Sequence, residues 1–170
     1  GYAEVWEYNA VTQVFTKIYT IDNGYSYEGW DVSINSTGKI IAVSSPKEGS
    51  GQVDVYREVG GVWQQLGNTI DHPDSNGSTG DFGGSIDIDS TGTTIVISAP
   101  LSMPGASEGS VYVFERDVNT GNWVQKGDRI VGNSSGGFGG NVSTKYRGKA
   151  VSFNAGGNNY VAIGDPYDQF

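Results

Sequence analysis

The feature that most constrains this chain of 170 residues is a threefold internal repeat. A repeat has to be identified before single motifs, because it decides the architecture. Each copy opens with glycine and a short alternating strand, continues with a second strand and a glycine-rich turn, and closes with two more strands. The opening strands are YAEVWEY (2–8), QVDVYRE (52–58) and SVYVFER (110–116). The copies divide one continuous β-repeat domain into residues 1–50, 51–108 and 109–170.

The remaining landmarks of each copy recur in the same order. The second strand starts at a bulky residue, which is Phe15, Trp63 or Trp123. The fourth strand stops at a proline, which is Pro46, Pro100 or Pro166. Proline has no N–H to donate to a strand ladder, so these prolines are expected to end their strands. The third copy is the longest, and residues 141–149 are interpreted as a loop insertion.

Composition and strand pattern predict the fold class. The chain has 27 glycines and no cysteine, which favours strands joined by tight turns without disulfide bonds. In SVYVFER, Val111 and Val113 face one side, while Tyr112 and Phe114 face the other. Strands that are apolar on both faces need cover on both faces. The sequence predicts an all-β fold of four-stranded antiparallel blades of a β-propeller, with three blade-equivalents. A β-sandwich remains the alternative.

The charge balance excludes two classes of partner. The formal net charge is −9, and no basic run could follow a phosphate backbone, so nucleic acid is not an expected partner. Anionic membrane surfaces are disfavoured for the same reason. No apolar run reaches the ~18 residues that membrane insertion needs.

The repeat resembles the FG-GAP repeat, the blade of integrin-α-type β-propellers. The resemblance rests on Phe82–Gly83 with Ser98–Pro100, on Phe138–Gly139 with Gly164–Pro166, and on a worn first copy that keeps Ser44–Pro46. It covers essentially the whole chain. It implies a four-stranded blade, an extracellular or cell-surface location, and a role in adhesion or ligand binding. The partner it implies is a protein or a glycan.

Proteins with this repeat often carry a calcium loop of DxDxDG type after the Phe-Gly motif, but the loop is degenerate here, and no cofactor is predicted. Calcium needs several oxygen ligands at alternate positions and a glycine at the sharp turn. In the second copy Asp87 and Asp89 match the first two acids and Gly92 matches the turn. Thr91 and Ile95 stand where further acids would be. Alternation places Asp87 and Asp89 on one strand face, and the competing interpretation is an exposed strand edge followed by a tight turn.

The chemistry of an enzyme is missing from the sequence. A nucleophilic triad needs a base, and the only histidine is His72, expected to be a solvated loop side chain. Carboxylate pairs could serve a glycan-active enzyme, but the candidates all fall in predicted loops, where aspartate is an ordinary turn residue. They are Asp71, Asp74, Asp81, Asp165 and Asp168. The chain is therefore predicted not to be an enzyme.

Aromatic side chains are the more promising candidates for binding. Tyr25, Tyr27 and Trp30 crowd one glycine-rich stretch of the first copy, where their rings could stack on sugars or anchor a protein interface. Packing between blades is the alternative. A second candidate patch lies in the insertion of the third copy and consists of Lys145, Tyr146 and Arg147.

Four N-x-S/T sequons support a secreted, glycosylated protein only weakly in a chain so rich in these residues. Their asparagines are Asn35, Asn76, Asn133 and Asn141.

The two ends of the chain are complementary half-blades. The N-terminal half-blade supplies the first two strands of a copy, and the C-terminal half-blade supplies the last two. Three arrangements follow from this phasing: a segment of a longer propeller, a ring closed by two chains, or an open filament. The sequence thus predicts an adhesion or ligand-binding module that could also self-associate. A structural subunit of a fibre, coat or shell is the alternative function.

Overall fold

The computed structural model describes residues 1–74, 81–100, 109–131, 151–156 and 158–164, and these residues form antiparallel β-structure without a helix. The all-β prediction is confirmed. No helix of the described residues is long and apolar enough to span a membrane. The strands are β1 (Ala3–Asn9), β2 (Val14–Ile21), β3 (Val32–Ile34), β4 (Ile40–Ser45), β5 (Gln52–Val59), β6 (Val62–Gln65), β7 (Ile70–Asp71), β8 (Ile86–Ile88), β9 (Thr94–Ala99), β10 (Ser110–Arg116), β11 (Trp123–Gln125), β12 (Ile130–Val131), β13 (Val151–Gly156) and β14 (Asn158–Ile163).

The strands form four sheets. The first sheet is the hairpin β1–β2, and the fourth sheet is the hairpin β13–β14. The second sheet has the order β3-β4-β5-β6, and the third has the order β8-β9-β10-β11. In both, the outermost strand is split, so that β7 also pairs with β5 and β12 with β10. Each complete sheet therefore combines the last two strands of one sequence copy with the first strands of the next.

The sheets stack face to face in chain order, and an apolar cluster fills each of the three interfaces. The first interface, between the first and second sheets, is filled by Ala3, Val5, Ile21, Ile41, Val43, Tyr56 and Trp63. The second interface, between the second and third sheets, holds the largest cluster, which includes Val53, Val55, Phe82, Ile95, Ile97, Tyr112 and Phe114. The third interface has Val96 and Val111 against Val161 and Ile163. The second and third sheets are thus covered on both faces.

Hydrogen bonds between the second and third sheets join positions one repeat apart. The hydroxyl of Ser33 donates to Oδ1 of Asp87 at 2.9 Å and accepts from the N–H of Ile88 at 3.1 Å. Oδ2 of Asp31 accepts from the N–H of Ile86 at 2.9 Å. Side chains flanking and within β3 therefore satisfy the edge N–H groups of β8, which would otherwise be unpaired.

The glycine that opens the first and second copies has a steric role. At Gly51, where φ is +97°, an added Cβ would lie 2.2 Å from the carbonyl oxygen of Phe82. At Gly1 the same atom would lie 2.1 Å from the carbonyl oxygen of Glu28. The turn before the third strand of a copy packs directly on this backbone, and only glycine leaves room for it.

Candidate functional site

The first candidate site is the loop between β2 and β3, residues 22–31, which we name the aromatic loop. Tyr27 and Trp30 are 58% and 39% exposed, and Tyr25 is half-buried. The rings of Tyr27 and Trp30 lie 6.0 Å apart between centroids and are tilted by 58°. The structure thus brings together two of the three aromatic residues that the sequence singled out, as an exposed pair.

The end of β4 holds the second half of this loop. The N–H groups of Gly29 and Trp30 donate to the carbonyl of Ser44 at 3.1 and 3.3 Å. The N–H of Asp31 donates to the hydroxyl of Ser44 at 3.0 Å, and the N–H of Ser44 donates back to the carbonyl of Asp31 at 3.0 Å. The backbone beneath Trp30 is therefore fixed before any ligand arrives.

A buried carboxylate holds the first half of the loop. Glu28 is 4% exposed and accepts from the backbone N–H of Asn23 at 2.7 Å and from its side-chain amide at 2.6 Å. The same amide donates to the hydroxyl of Tyr56 at 2.6 Å. Burial raises the pKa of Tyr56 to about 12, against the opposing effect of the Asn23 hydrogen bond, and the charges of Asp54 and Glu28 add smaller contributions in the same direction as burial. Tyr56 therefore remains a neutral phenol at neutral pH.

The second copy builds the same turn without an aromatic ring at either position of the exposed pair. There Gly83 and Gly84 donate to the carbonyl of Ser98 at 2.9 and 3.2 Å, and the N–H of Ser85 donates to its hydroxyl at 2.8 Å. Every partner lies 54 positions after its counterpart in the aromatic loop. Asp81 therefore corresponds to Tyr27, and Gly84 corresponds to Trp30.

This correspondence shows whether the turn itself needs the aromatic pair. Tyr27 has φ +58° and Asp81 has φ +50°, a left-handed conformation that is unfavourable for bulky side chains. An aspartate and a glycine complete the same turn in the second copy, so the fold does not require the rings of Tyr27 and Trp30. Exposed aromatics on a strained, fixed backbone are typical of recognition sites.

The first copy has a glutamate at the position where the second copy has the phenylalanine of the Phe-Gly turn. Phe82 is fully buried, and its counterpart 54 positions earlier is Glu28. The first copy thus keeps the backbone of the Phe-Gly turn and replaces its apolar anchor with a hydrogen-bonded carboxylate.

The calcium candidates lie in separate hydrogen-bond systems. Asp89 is 2% exposed, and its Oδ1 accepts from the N–H groups of Thr93 and Thr94 at 2.7 and 2.9 Å. Burial alone would raise the pKa of Asp89, but these bonds and one from the hydroxyl of Thr91 lower it below its usual value. Asp87 accepts from Ser33 of the neighbouring sheet. Within the described residues no group of three or more metal-ligating side chains is close enough to hold an ion.

Asp89 is buried, and not on an exposed strand edge, because it lies in the turn after β8 and accepts hydrogen bonds from the backbone of that turn. Asn35 takes the same place in the first copy, and its Oδ1 accepts from the N–H groups of Lys39 and Ile40 at 3.1 and 3.0 Å. Asn35 is 6% exposed. Both side chains close a turn of their own backbone.

His72 is not solvated, contrary to the sequence-based expectation. It is 5% exposed and lies 5.3 Å from the ring of Phe82 and 5.5 Å from that of Tyr112. Its Nδ1 accepts from the N–H of Asp74 at 3.1 Å. Burial lowers the pKa of His72, and the nearby charge of Asp74 opposes this only in part. The histidine is a packing residue of the second interface.

Several sequence-based candidates lie outside the described residues. They are Lys145, Tyr146 and Arg147, the sequons at Asn76, Asn133 and Asn141, and the carboxylates Asp165 and Asp168.

Sequence reasoning missed a second site, an open groove of about 670 Å³ between the first and second sheets. Such a volume lies within the range of ligand pockets. The groove is bordered on one side by β1 and on the other by the turn between β3 and β4 and by β5 and β6. Its lining includes Val5, Trp6, Tyr8, Gly38, Lys39 and Trp63. The available signal was the phasing of the repeat, which leaves the first two strands as an outer half-blade.

Comparison with known proteins leaves the chain without an assigned family. No protein-family model matches the sequence, and no curated protein matches it.

Proposed function

We propose that this chain is a binding module of propeller-type repeats that recognises a protein or a glycan through its aromatic loop, at the cell surface or outside the cell. The observation that carries the proposal is the exposed pair Tyr27–Trp30 on a backbone that the second copy forms with Asp81 and Gly84. Both rings are exposed and the fold does not require them, so they can contact a partner.

The stacking of the sheets supports a propeller-type arrangement. Hydrogen bonds between the second and third sheets join residues about one repeat apart in the sequence. The strands β3, β8 and β13 lie next to one another in that order. Four-stranded meanders covered on both faces are the units from which propellers are built.

The fixed backbone of the aromatic loop favours binding with little loss of conformational entropy. The hydrogen bonds of Ser44 and Glu28 hold the loop in place, and a pre-organised site loses less entropy when it binds. Carboxylate and amide groups of Asp22, Asn23 and Glu48 lie on or next to the loop. Aromatic rings beside such groups suit the apolar faces and hydroxyls of a sugar, as well as a protein surface.

The test replaces both rings with the residues of the second copy, in the double variant Tyr27→Asp/Trp30→Gly. Binding to immobilised glycans, and to glycoproteins before and after enzymatic deglycosylation, is measured by surface plasmon resonance. We expect the wild type to bind and the double variant to bind at least about tenfold more weakly, since each aromatic anchor contributes about 1–2 kcal/mol or more.

The matched control is Val118→Ala, which removes another apolar side chain, 91% exposed, in the turn between β10 and β11 and outside both the aromatic loop and the open groove. It should bind glycans and glycoproteins as the wild type does. Equal binding by wild type and double variant, or no binding of the wild type to any surface, would refute the proposal. Loss of binding on deglycosylation identifies a glycan ligand, and retention identifies a protein ligand.

A further inference from the structure

In the part of the chain that the structure describes, the first sheet has the outer half of a blade, and one edge of β1 is unpaired. In the second and third sheets, β5 and β10 pair on both edges, with β4 and β6 in one case and with β9 and β11 in the other. The equivalent strand β1 pairs only with β2 among the described residues. An unpaired edge presents N–H and C=O groups that another strand can bind.

The open groove lies where the inner strands of such a blade would pack. In the second interface an added Cβ at Gly92 would lie 2.5 Å from Ile40, because β4 packs on the turn that contains this glycine. Gly38 is the equivalent glycine in the first interface, and an added Cβ there would meet nothing within 4 Å. The groove therefore continues the first interface at the place where a strand equivalent to β4 is missing.

The outer face of the first sheet lacks the cover that its equivalents have. Trp63 and Trp123 are 6% and 4% exposed, because the preceding sheet covers them, whereas the aligned Phe15 is 63% exposed. Phe15 contacts Tyr8 at 4.9 Å between ring centroids, and Tyr8 and Trp6 are about half exposed. A contiguous aromatic face of this kind marks an interaction surface.

The fourth sheet corresponds to the other half of such a blade, its two inner strands. By its strand pairing, the hairpin β13–β14 corresponds to β3–β4, since Val151 faces Ile163 as Val32 faces Val43. The residue equivalent to Ile40 is then Tyr160, which is 65% exposed.

We propose that the β13–β14 hairpin of a second copy of this chain occupies the open groove and pairs with the free edge of β1. This completes a four-stranded sheet β13-β14-β1-β2 with the strand order of the second and third sheets. Tyr160 of the second copy packs on Gly38, as Ile40 packs on Gly92. The third sheet of the second copy covers the aromatic outer face, as the preceding sheet covers Trp63 in the first interface.

The pairing of β4 with β5 gives the register of this contact. Ala42 faces Val55 in that pair, and the equivalent residues are Ala162 of one copy and Val5 of the other. The N–H of Glu58 donates to the carbonyl of Lys39 at 2.9 Å, so alternation along the ladder makes the Ala42–Val55 pair non-hydrogen-bonded. Such pairs bring Cα atoms to about 4.5 Å, within the range of a disulfide.

Cysteine cross-linking tests this register, and the natural chain has no cysteine to interfere. The double variant Val5→Cys/Ala162→Cys is oxidised at micromolar concentration and analysed on a non-reducing gel. We expect products of two or more chains that are reversed by reductant. The control Val5→Cys/Val161→Cys is shifted by one residue, which turns the second thiol to the opposite face, and should cross-link at least about tenfold less.

The mass of the unmodified protein gives a second measurement that does not depend on the variants. Light scattering should give twice the 18.0 kDa mass of one chain or a higher multiple. Tyr160→Asp should shift this mass toward that of one chain by placing a charge in the groove. A wild type of single-chain mass over the micromolar range, or a disulfide formed within one chain, overturns the proposal.

Discussion

The first and second interfaces are built on the same backbone plan and filled in opposite ways. In the second interface, Phe82 is fully buried and its ring packs near those of His72, Tyr112 and Phe114 at centroid distances of 5.3 to 6.1 Å. In the first interface, Glu28 takes the place of Phe82 and bonds to Asn23. Asn23 stands two positions after Ile21 as His72 stands two after Ile70.

The strands that face these turns show the same contrast. Tyr112 of the second interface donates to Asp74 at 2.9 Å. Asp54 stands at the equivalent position of the first interface, and it accepts from Gln65 at 2.9 Å and from Thr69 at 2.6 Å. Burial raises the pKa of Asp54, against the opposing effect of the Thr69 hydrogen bond.

The repeat therefore determines the path of the backbone, while the side chains that fill each interface can differ. An apolar anchor is one solution, and a saturated hydrogen-bond network is another. The hydrogen-bond network takes the place of buried apolar side chains in the first interface. The open groove also lies in this interface. The second interface should therefore contribute more to stability, while the first is suited to recognition.

The largest expected effect comes from removing the apolar anchor. Phe82→Ala should lower the free energy of unfolding by about 3–5 kcal/mol, because it leaves a cavity in a fully packed aromatic cluster. Glu28→Ala should cost less, about 1–3 kcal/mol, since it leaves one partner without its acceptor. Urea denaturation of both variants measures this difference. Equal losses would show that the two interfaces contribute equally.

A second prediction concerns the backbone contact that both interfaces share. Gly51→Ala should cost about 2 kcal/mol or more, since the new methyl group would overlap the carbonyl of Phe82 at a left-handed φ. Gly49→Ala is the matched control in the same turn, with φ +54° and no atom within 4 Å. It should cost about 1 kcal/mol for conformation alone. Thermal unfolding of the two variants separates the steric cost from the conformational cost.

Much of this organisation can be predicted from the sequence. Alternation, glycine spacing and the terminal prolines predict the strands and their antiparallel pairing, because these signals are local. The sequence singles out Tyr27 and Trp30 but leaves open whether they bind a partner or pack between sheets. Only the comparison with Asp81 and Gly84 shows that the fold does not need their rings. The burial of His72 could not be predicted, because it depends on Phe82 and Tyr112, which are distant in sequence and close only after the sheets stack.

A smaller effect is the pH dependence that comes from the buried histidine of the second interface. Burial lowers the pKa of His72 from its usual value of 6.5, so the unfolded chain binds a proton more readily than the folded chain. The stabilisation is complete above the unfolded pKa and is lost as pH falls through the folded pKa. Asp71, Asp74 and Arg129 are the charged groups near this ring, and the effect of Asp74 opposes that of burial.

The variant His72→Asn carries the residue that the first interface uses at this position. Its free energy of unfolding should be lower than that of the wild type at pH 8, because the ring contacts are lost. The difference should shrink as the pH falls from 7 to 5, since only the wild type then loses stability through the histidine. Urea titrations at each pH measure both. A wild type and a variant that lose stability in parallel over this range would show that His72 titrates as a solvated histidine does, and would remove the electrostatic part of the contrast between the two interfaces.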